Sequence, residues 1–278
     1  MRWRGREQSS NVEDRRRMGG KTIVGGSIGT IIIVLLVWLL GGNPQQVLDN
    51  MGNQYTTETT TTENSDTLTQ FISTVLKTTE DVWNEMFAQT GREYKEPILV
   101  LYSKATQSAC GYSSAATGPF YCPGDEKVYI DLDFLQQLQR QLGAPGDFAI
   151  AYILAHEVGH HVQNLLGITY QVESRRGHVS EAEFNDYSVR LELQADFLAG
   201  IWAHYAKENL DILEAGDIQE ALDAASSVGD DRLQMQSQGY VVPDAFTHGT
   251  SEQRVRWFRR GFETGDVSQS DTFQAERL

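Results

Sequence analysis

His156-Glu157-Val158-Gly159-His160 fits the pattern H-E-x-x-H. On a helix, positions i and i+4 stand one turn apart on the same face, so both imidazoles can reach one metal ion. Glu157 can then take a proton from a water that the metal activates. Two histidines leave such a site one protein ligand short. Glu192-Leu193-Gln194-Ala195-Asp196 offers carboxylates at i and i+4. Glu192 is the candidate third ligand, and Asp196 the acceptor that orients a ligating histidine through its other ring N–H. The bland alternative is a solvated acidic face. Yet the surrounding VRLELQADFLAGIWA is mostly apolar, and a carboxylate buried there needs a cation or a donor. Glu173, Glu181 and Glu183 compete for the ligand role but lie nearer a polar connection. Later in the chain, THGTSEQR carries His248 and Arg254. Either could stabilise the oxyanion formed when water attacks a carbonyl. A salt bridge from Arg254 to Glu252 or to a core carboxylate is an equal alternative. His161 points off the metal face and reads as structural; His178 and His204 read as surface residues.

The elements that must position these groups follow from periodicity. Ile150–Leu166 is apolar on most faces, with Asp147 as a candidate N-cap and Gly167 as its stop. Ser180 and Glu183 form a capping box for a helix running to about Ala206. Thr67–Gln89 has apolar residues at three-to-four spacing and reads as an amphipathic helix. Pro97–Tyr102, Phe120–Cys122 and Val128–Leu132 read as strands, the last two joined across the turn Pro123-Gly124-Asp125-Glu126. Phe134–Leu142, Asp211–Ser227 and Glu252–Gly261 read as helices, the last capped by Ser251. The polar end of the chain reads as frayed.

The whole chain carries a formal net charge of −15, which argues against a nucleic-acid partner. The first 22 residues are an exception, rich in arginine. They precede Ile23–Leu40, an uncharged stretch that at ~1.5 Å per residue can span a membrane core of ~30 Å. The basic flank predicts a cytoplasmic N-terminus and an exported remainder; a cleaved signal peptide is the alternative. Gly41–Asp66, with the run TTETTTT, reads as a linker. Export favours a disulfide between Cys110 and Cys122 over two free thiols or metal ligands. The expected organisation is therefore a basic segment (1–22), a transmembrane helix (23–40), a linker (41–66), one domain (67–265) and a polar tail (266–278). The fold class is α+β, mainly helical, with a small antiparallel sheet.

HEVGHH, ELQADFLAG, ACGY followed by GPFYCPGDEKVYIDLDF, and GDDRLQMQSQGYVVPDAFTHGTSEQRVRWFRRGF together resemble the bacterial neutral zinc metallopeptidase family, from about Thr67 to Gly265. The order H-E-x-x-H, E-x-x-x-D and a late His and Arg is similar to the CAAX-prenyl-protease and heat-shock type membrane metalloproteases, and more distantly to the gluzincins. That resemblance implies one zinc ion bound by His156, His160 and Glu192, with Glu157 as base, Asp196 behind a histidine, and His248 and Arg254 near the oxyanion. Here the late motif reads His-Gly, where the CAAX-type enzymes have His-Pro. The expected partner is a peptide or protein substrate. The rival classes are a non-proteolytic zinc amidase and an anchored binding protein with a structural zinc.

Overall fold

A computed structural model describes residues 1–16, 60–114, 118–136 and 146–278. Its main elements are β1 (Val12–Asp14), α1 (Thr60–Gln89), β2 (Ile98–Tyr102), β3 (Ala105–Ser108), β4 (Gly111–Ser114), β5 (Phe120–Cys122), β6 (Lys127–Asp131), α2 (Asp147–Leu165), α3 (Ile168–Glu173), α4 (Glu181–Glu208), α5 (Asp217–Ser227), α6 (Asp230–Gln238) and α7 (Ser251–Thr264). Helices dominate, and a small sheet packs against α2, as the α+β expectation requires.

The sheet differs from that expectation in two ways. Its strand order is β1-β2-β6-β5, and only β5 with β6 is antiparallel. β2 runs parallel to both β1 and β6, with Leu99 opposite Val12 on one side and Val128 on the other. The apolar run Leu99–Tyr102 is buried because β2 is central, flanked on both edges. The stretch between β2 and β6, which includes the β3–β4 hairpin, is long enough for the parallel return. Cys110 and Cys122 are joined by a disulfide, which ties this hairpin to β5.

The second correction concerns the N-terminus. The sequence sets residues 1–22 apart, across a membrane from the domain. Residues 1–16 instead belong to the domain. Leu99 N donates to Asn11 O, and Arg15 N to Leu101 O, at 2.8 Å each, so β1 satisfies backbone groups that β2 could not leave bare. Asn11 Nδ2 bridges Glu80 and Glu96 at 2.9 and 2.6 Å, and Ser9 Oγ donates to Glu80 at 2.6 Å. The arginines have partners in the domain and in the segment itself: Arg2 donates to Leu213 O and Arg6 to Leu210 O, while Arg15 and Arg16 pair with Glu13 and Asp14. A three-residue strand is too short to leave a periodic signal. Ile23–Leu40 lies outside the described residues. Among the described residues no helix is long and apolar enough to cross a membrane. Of the expected linker, residues 60–66 begin α1; no glycine or proline interrupts them.

Three helices meet at bare backbone. A Cβ on Gly159 would stand 3.0 Å from Ala195 O, so α2 and α4 touch between the histidine pair and the carboxylate pair. A Cβ on Gly261 would fall 2.1 Å from Phe197 O, and one on Gly200 2.1 Å from Phe258 O, so α4 and α7 touch as closely one face further on. Helix ends follow the sequence with small shifts. Gly167 adopts the left-handed conformation (φ 76°) beyond the end of α2. Gly146, not Asp147, is the N-cap of α2; the Asp147 carboxylate instead meets the Met1 α-amine at 3.2 Å. Ser180 caps α4 through Glu183 N. Thr250, not Ser251, caps α7, with Gln253 completing the box. Residues 132–136 are helical, and the rest of the expected Phe134–Leu142 helix lies outside the described residues. The polar tail is not frayed: Thr272 is fully buried and bonded to Arg190 O at 2.6 Å.

Gly261→Ala is expected to force α4 and α7 apart and to cost about 1–3 kcal/mol, the range for overpacking. Urea denaturation of the two proteins checks it.

Candidate metal centre

The α2–α4 contact turns two sequence motifs toward each other. His156 and His160 project from successive turns of α2, and their rings lie 4.7 Å apart at 88°. Glu192 on α4 faces both: Oε2 is 3.2 Å from His156 Nε2 and Oε1 is 3.4 Å from His160 Nε2. The three ligand atoms lie within 4.8 Å of one another. They line a cleft of about 750 Å³ whose walls come from α2, β5, α3, α4, α6 and the His248 loop. Two imidazole nitrogens and a carboxylate on the wall of an open cleft are the donor set of a catalytic zinc site, which keeps one position for water or substrate. A second acidic group, Asp147, Asp217 and Glu220, differs: it already faces a cation, the Met1 ammonium, 3.2 Å from Asp147 and 3.4 Å from Asp217.

Asp196, one turn after Glu192, has no solvent exposure. Its Oδ1 accepts from His156 Nδ1 at 2.8 Å, Tyr152 OH at 2.5 Å and Arg254 Nη2 at 3.0 Å; its Oδ2 accepts from Arg254 Nε at 2.8 Å. Burial pushes this carboxyl upward, but Arg254 and His156 outweigh it and hold it at about 2. Burial likewise disfavours charge on His156, yet Asp196 and Glu192 raise it to about 10. Glu192 is pulled well below the carboxylate range: burial opposes this, and the charges of His160 and His248 overcome it. His156 thus stands between two carboxylates, Glu192 and Asp196, whose negative charge favours a cation there. A divalent ion on Nε2 answers the same demand.

Arg254 takes the salt-bridge alternative. Its guanidinium is buried against a core carboxylate, Asp196, at a position that also lines the cleft. His248 remains at the cleft. Its ring meets Asp230 at 3.3 Å, and the backbone N–H groups of Thr247, His248 and Gly249 all donate to Asp230 Oδ2. Burial lowers His248, while the charge of Glu192 and the bond from Asp230 raise it on balance. Glu157 lines the same cleft beside His156 and His160. His161 is structural, buried between Tyr121 OH and Lys95 O. Glu181 and Glu183 are exposed, as is Glu173 at the cleft's edge. Three polar residues escape a reading by motif: Tyr152, four residues before His156; Gln163, three after His160; and Asp230, at the start of α6. The first two share the buried face of α2, where a polar residue in an apolar pattern was the available signal. Asp230 carried none, because its partner lies 18 residues on.

Compared with known proteins, residues 1–273 match the family described as "Putative neutral zinc metallopeptidase", and the chain belongs to that family. A protein of Escherichia coli K12 bearing the name Uncharacterized protein YpfJ is 47% identical over 284 aligned residues, covering 98% of this chain and 99% of that one. Uncharacterized protein Rv2575 of Mycobacterium tuberculosis H37Rv is 44% identical over 195 residues, covering 66% of this chain and 65% of that one. No solved structure matches. The family match includes the N-terminal segment that the sheet incorporates.

Asp196→Asn removes the charge that Arg254 and His156 face. Breaking one partner of a buried pair costs about 3–5 kcal/mol, and changing the charged group that orients a ligand is expected to cost about 10–100-fold in metal affinity. Urea unfolding and chelator competition for zinc measure the two losses. The double change Asp196→Leu with Arg254→Met is expected to cost less stability than the sum of the two single changes.

Proposed function

We propose that this chain is a zinc-dependent peptidase with Glu157 as its general base. The observation that carries the reading is the convergence of His156, His160 and Glu192 ligand atoms on one point of the cleft that Glu157 also lines. The reading extends to a gluzincin-like ligand set, two histidines from one helix and a glutamate from another. Zinc held by His156 Nε2, His160 Nε2 and Glu192 would supply the Lewis acidity that makes water a nucleophile near neutral pH.

The chain's own residues do the rest. The Glu157 carboxylate takes a proton from the attacking water and passes it to the leaving amine nitrogen. The His248 ring, tethered by Asp230, donates to the carbonyl oxygen as negative charge develops there. Asp196 keeps the proton of His156 on Nδ1, away from the ligand face. An extended peptide finds a partner in β5, the edge strand of the sheet, whose Phe120 and Tyr121 line the cleft. Glu157→Gln is expected to bind zinc as the parent does and to lose about 10²–10⁴-fold in turnover. Zinc content and cleavage of a quenched peptide library check this. Unchanged turnover would remove Glu157 from the role, and cleavage of non-peptide amides alone would make the protein an amidase instead.

Membrane attachment through Ile23–Leu40 belongs to the same proposal, under one constraint. β1 and β2 share a sheet, so residues 1–16 and the domain lie on one side of any bilayer. A single crossing with the N-terminus opposite the domain conflicts with that pairing. The Cys110–Cys122 disulfide favours the oxidising side, outside the cytoplasm, for both. Ser10→Cys and Glu85→Cys, both at exposed positions, are expected to react together with an impermeant maleimide on whole cells. Reaction at one position only would overturn the shared-side topology.

A further inference from the structure

The second zinc-ligand candidate, His160, is oriented by a part of the chain far from the H-E-x-x-H motif. His160 Nδ1 lies 2.9 Å from Gln163 Oε1. Gln163 is fully buried, and its Nε2 donates to Leu191 O at 2.7 Å and to Gln194 Oε1 at 3.0 Å. Gln194, almost as deeply buried, donates from Nε2 to Ser270 O at 3.0 Å. The direction of this chain of bonds is not free. Leu191 O and Ser270 O are backbone carbonyls and can only accept. Each must therefore receive an N–H from the glutamine facing it. Gln194 is left to offer its oxygen to Gln163, and Gln163 to offer its oxygen to His160. A flipped amide at either position would set oxygen against oxygen in a buried space, with the cost of an unmet polar pair.

We infer that Gln163 and Gln194 form a one-way relay by which the carbonyl of Ser270, in the C-terminal segment, fixes the proton of His160 on Nδ1 and turns its Nε2 toward Glu192 and the metal. Both glutamines are positioning residues. The segment that ends the relay is held in place independently. Arg190 Nη1 donates to Thr272 O at 2.6 Å, and the buried Thr272 hydroxyl donates back to Arg190 O at 2.6 Å, two residues before Glu192. The tail thus grips α4 at the turn that carries the third ligand, and reaches the second ligand through the two amides. The two histidines have different supports. His156 leans on a carboxylate neutralised by Arg254, and His160 on a neutral amide. A neutral acceptor fixes the tautomer of His160 without adding a further negative charge beside Glu157, Glu192 and Asp196.

This inference rests on the proposed metal site but not on the nature of the substrate, so its test reads metal binding and not hydrolysis. The measurements are the zinc dissociation constant of the full chain by chelator competition, the imidazole ¹⁵N spectrum of the zinc-loaded, histidine-labelled protein, and the thermal melt. Gln163→Leu removes the acceptor and is expected to weaken zinc about 10–100-fold, with the His160 Nδ1–H resonance lost to solvent exchange. Gln163→Glu keeps an acceptor and is expected to retain the Nδ1–H resonance. Gln194→Leu is expected to weaken zinc less than Gln163→Leu does. Removal of residues 276–278 alone, which spares Ser270 and Thr272, is expected to leave affinity unchanged. Parental zinc affinity and a parental ¹⁵N spectrum in Gln163→Leu would overturn the relay. So would a Gln194→Leu protein that melts lower yet binds zinc as the parent does. If the parent itself bound no zinc, the failure would belong to the metal-site reading.

Discussion

A carboxylate with no access to water, Asp196, is the constraint on which the centre depends. An ion in that position is tolerated only if its lone pairs are filled and its charge is matched. Four donors from three residues do this: the Arg254 guanidinium twice, the Tyr152 hydroxyl and the His156 ring. Those residues come from α2 and α7, while Asp196 belongs to α4. The charge balance therefore requires three helices to be in register at one point. Taking away any one of the three leaves a buried ion exposed to a low dielectric, which is far more costly than the pair is favourable. The candidate metal site lies one atom beyond this junction, on the other nitrogen of His156.

Close approach of the helices makes the junction possible. Gly159 against Ala195 brings α2 onto α4, and Gly200 with Gly261 brings α4 onto α7. Side chains of ordinary size at these places would hold the axes apart, and Asp196 would no longer reach both His156 and Arg254. The glycine within H-E-V-G-H thus has a packing reason as well as a place in the motif. Core aromatics such as Trp202, Phe197, Phe258 and Trp257 fill the space around these contacts, so the small residues mark where backbone, not bulk, meets backbone.

The ends of the chain close on the same body. Residues 1–16 supply the outer strand beside β2, and Arg2 and Arg6 donate to the carbonyls of Leu213 and Leu210. The C-terminal segment buries Thr272 against α4. Both segments are polar and aperiodic. What holds them is hydrogen bonds to residues distant in sequence together with apolar contacts, such as Met1, Trp3 and Leu278 on the core, and no local pattern encodes those.

Local rules in the sequence were enough for the chemistry and for most of the helices. H-E-x-x-H places His156 and His160 on one face because a helix repeats every 3.6 residues, and E-x-x-x-D does the same for Glu192 and Asp196. An apolar segment with carboxylates in it announced that they would have partners. An exported domain, not the number of cysteines, is what favours the disulfide in the sequence. Partner identity was another matter. That Arg254 meets Asp196, that β2 runs parallel to β6 and that the termini are docked all rest on contacts between residues tens of positions apart. Such contacts depend on crossing geometry and on filling each buried donor and acceptor, and these are properties of the assembled helices and sheet. The sequence alone determined which groups could do chemistry; only the tertiary structure decided which of them was bound to which.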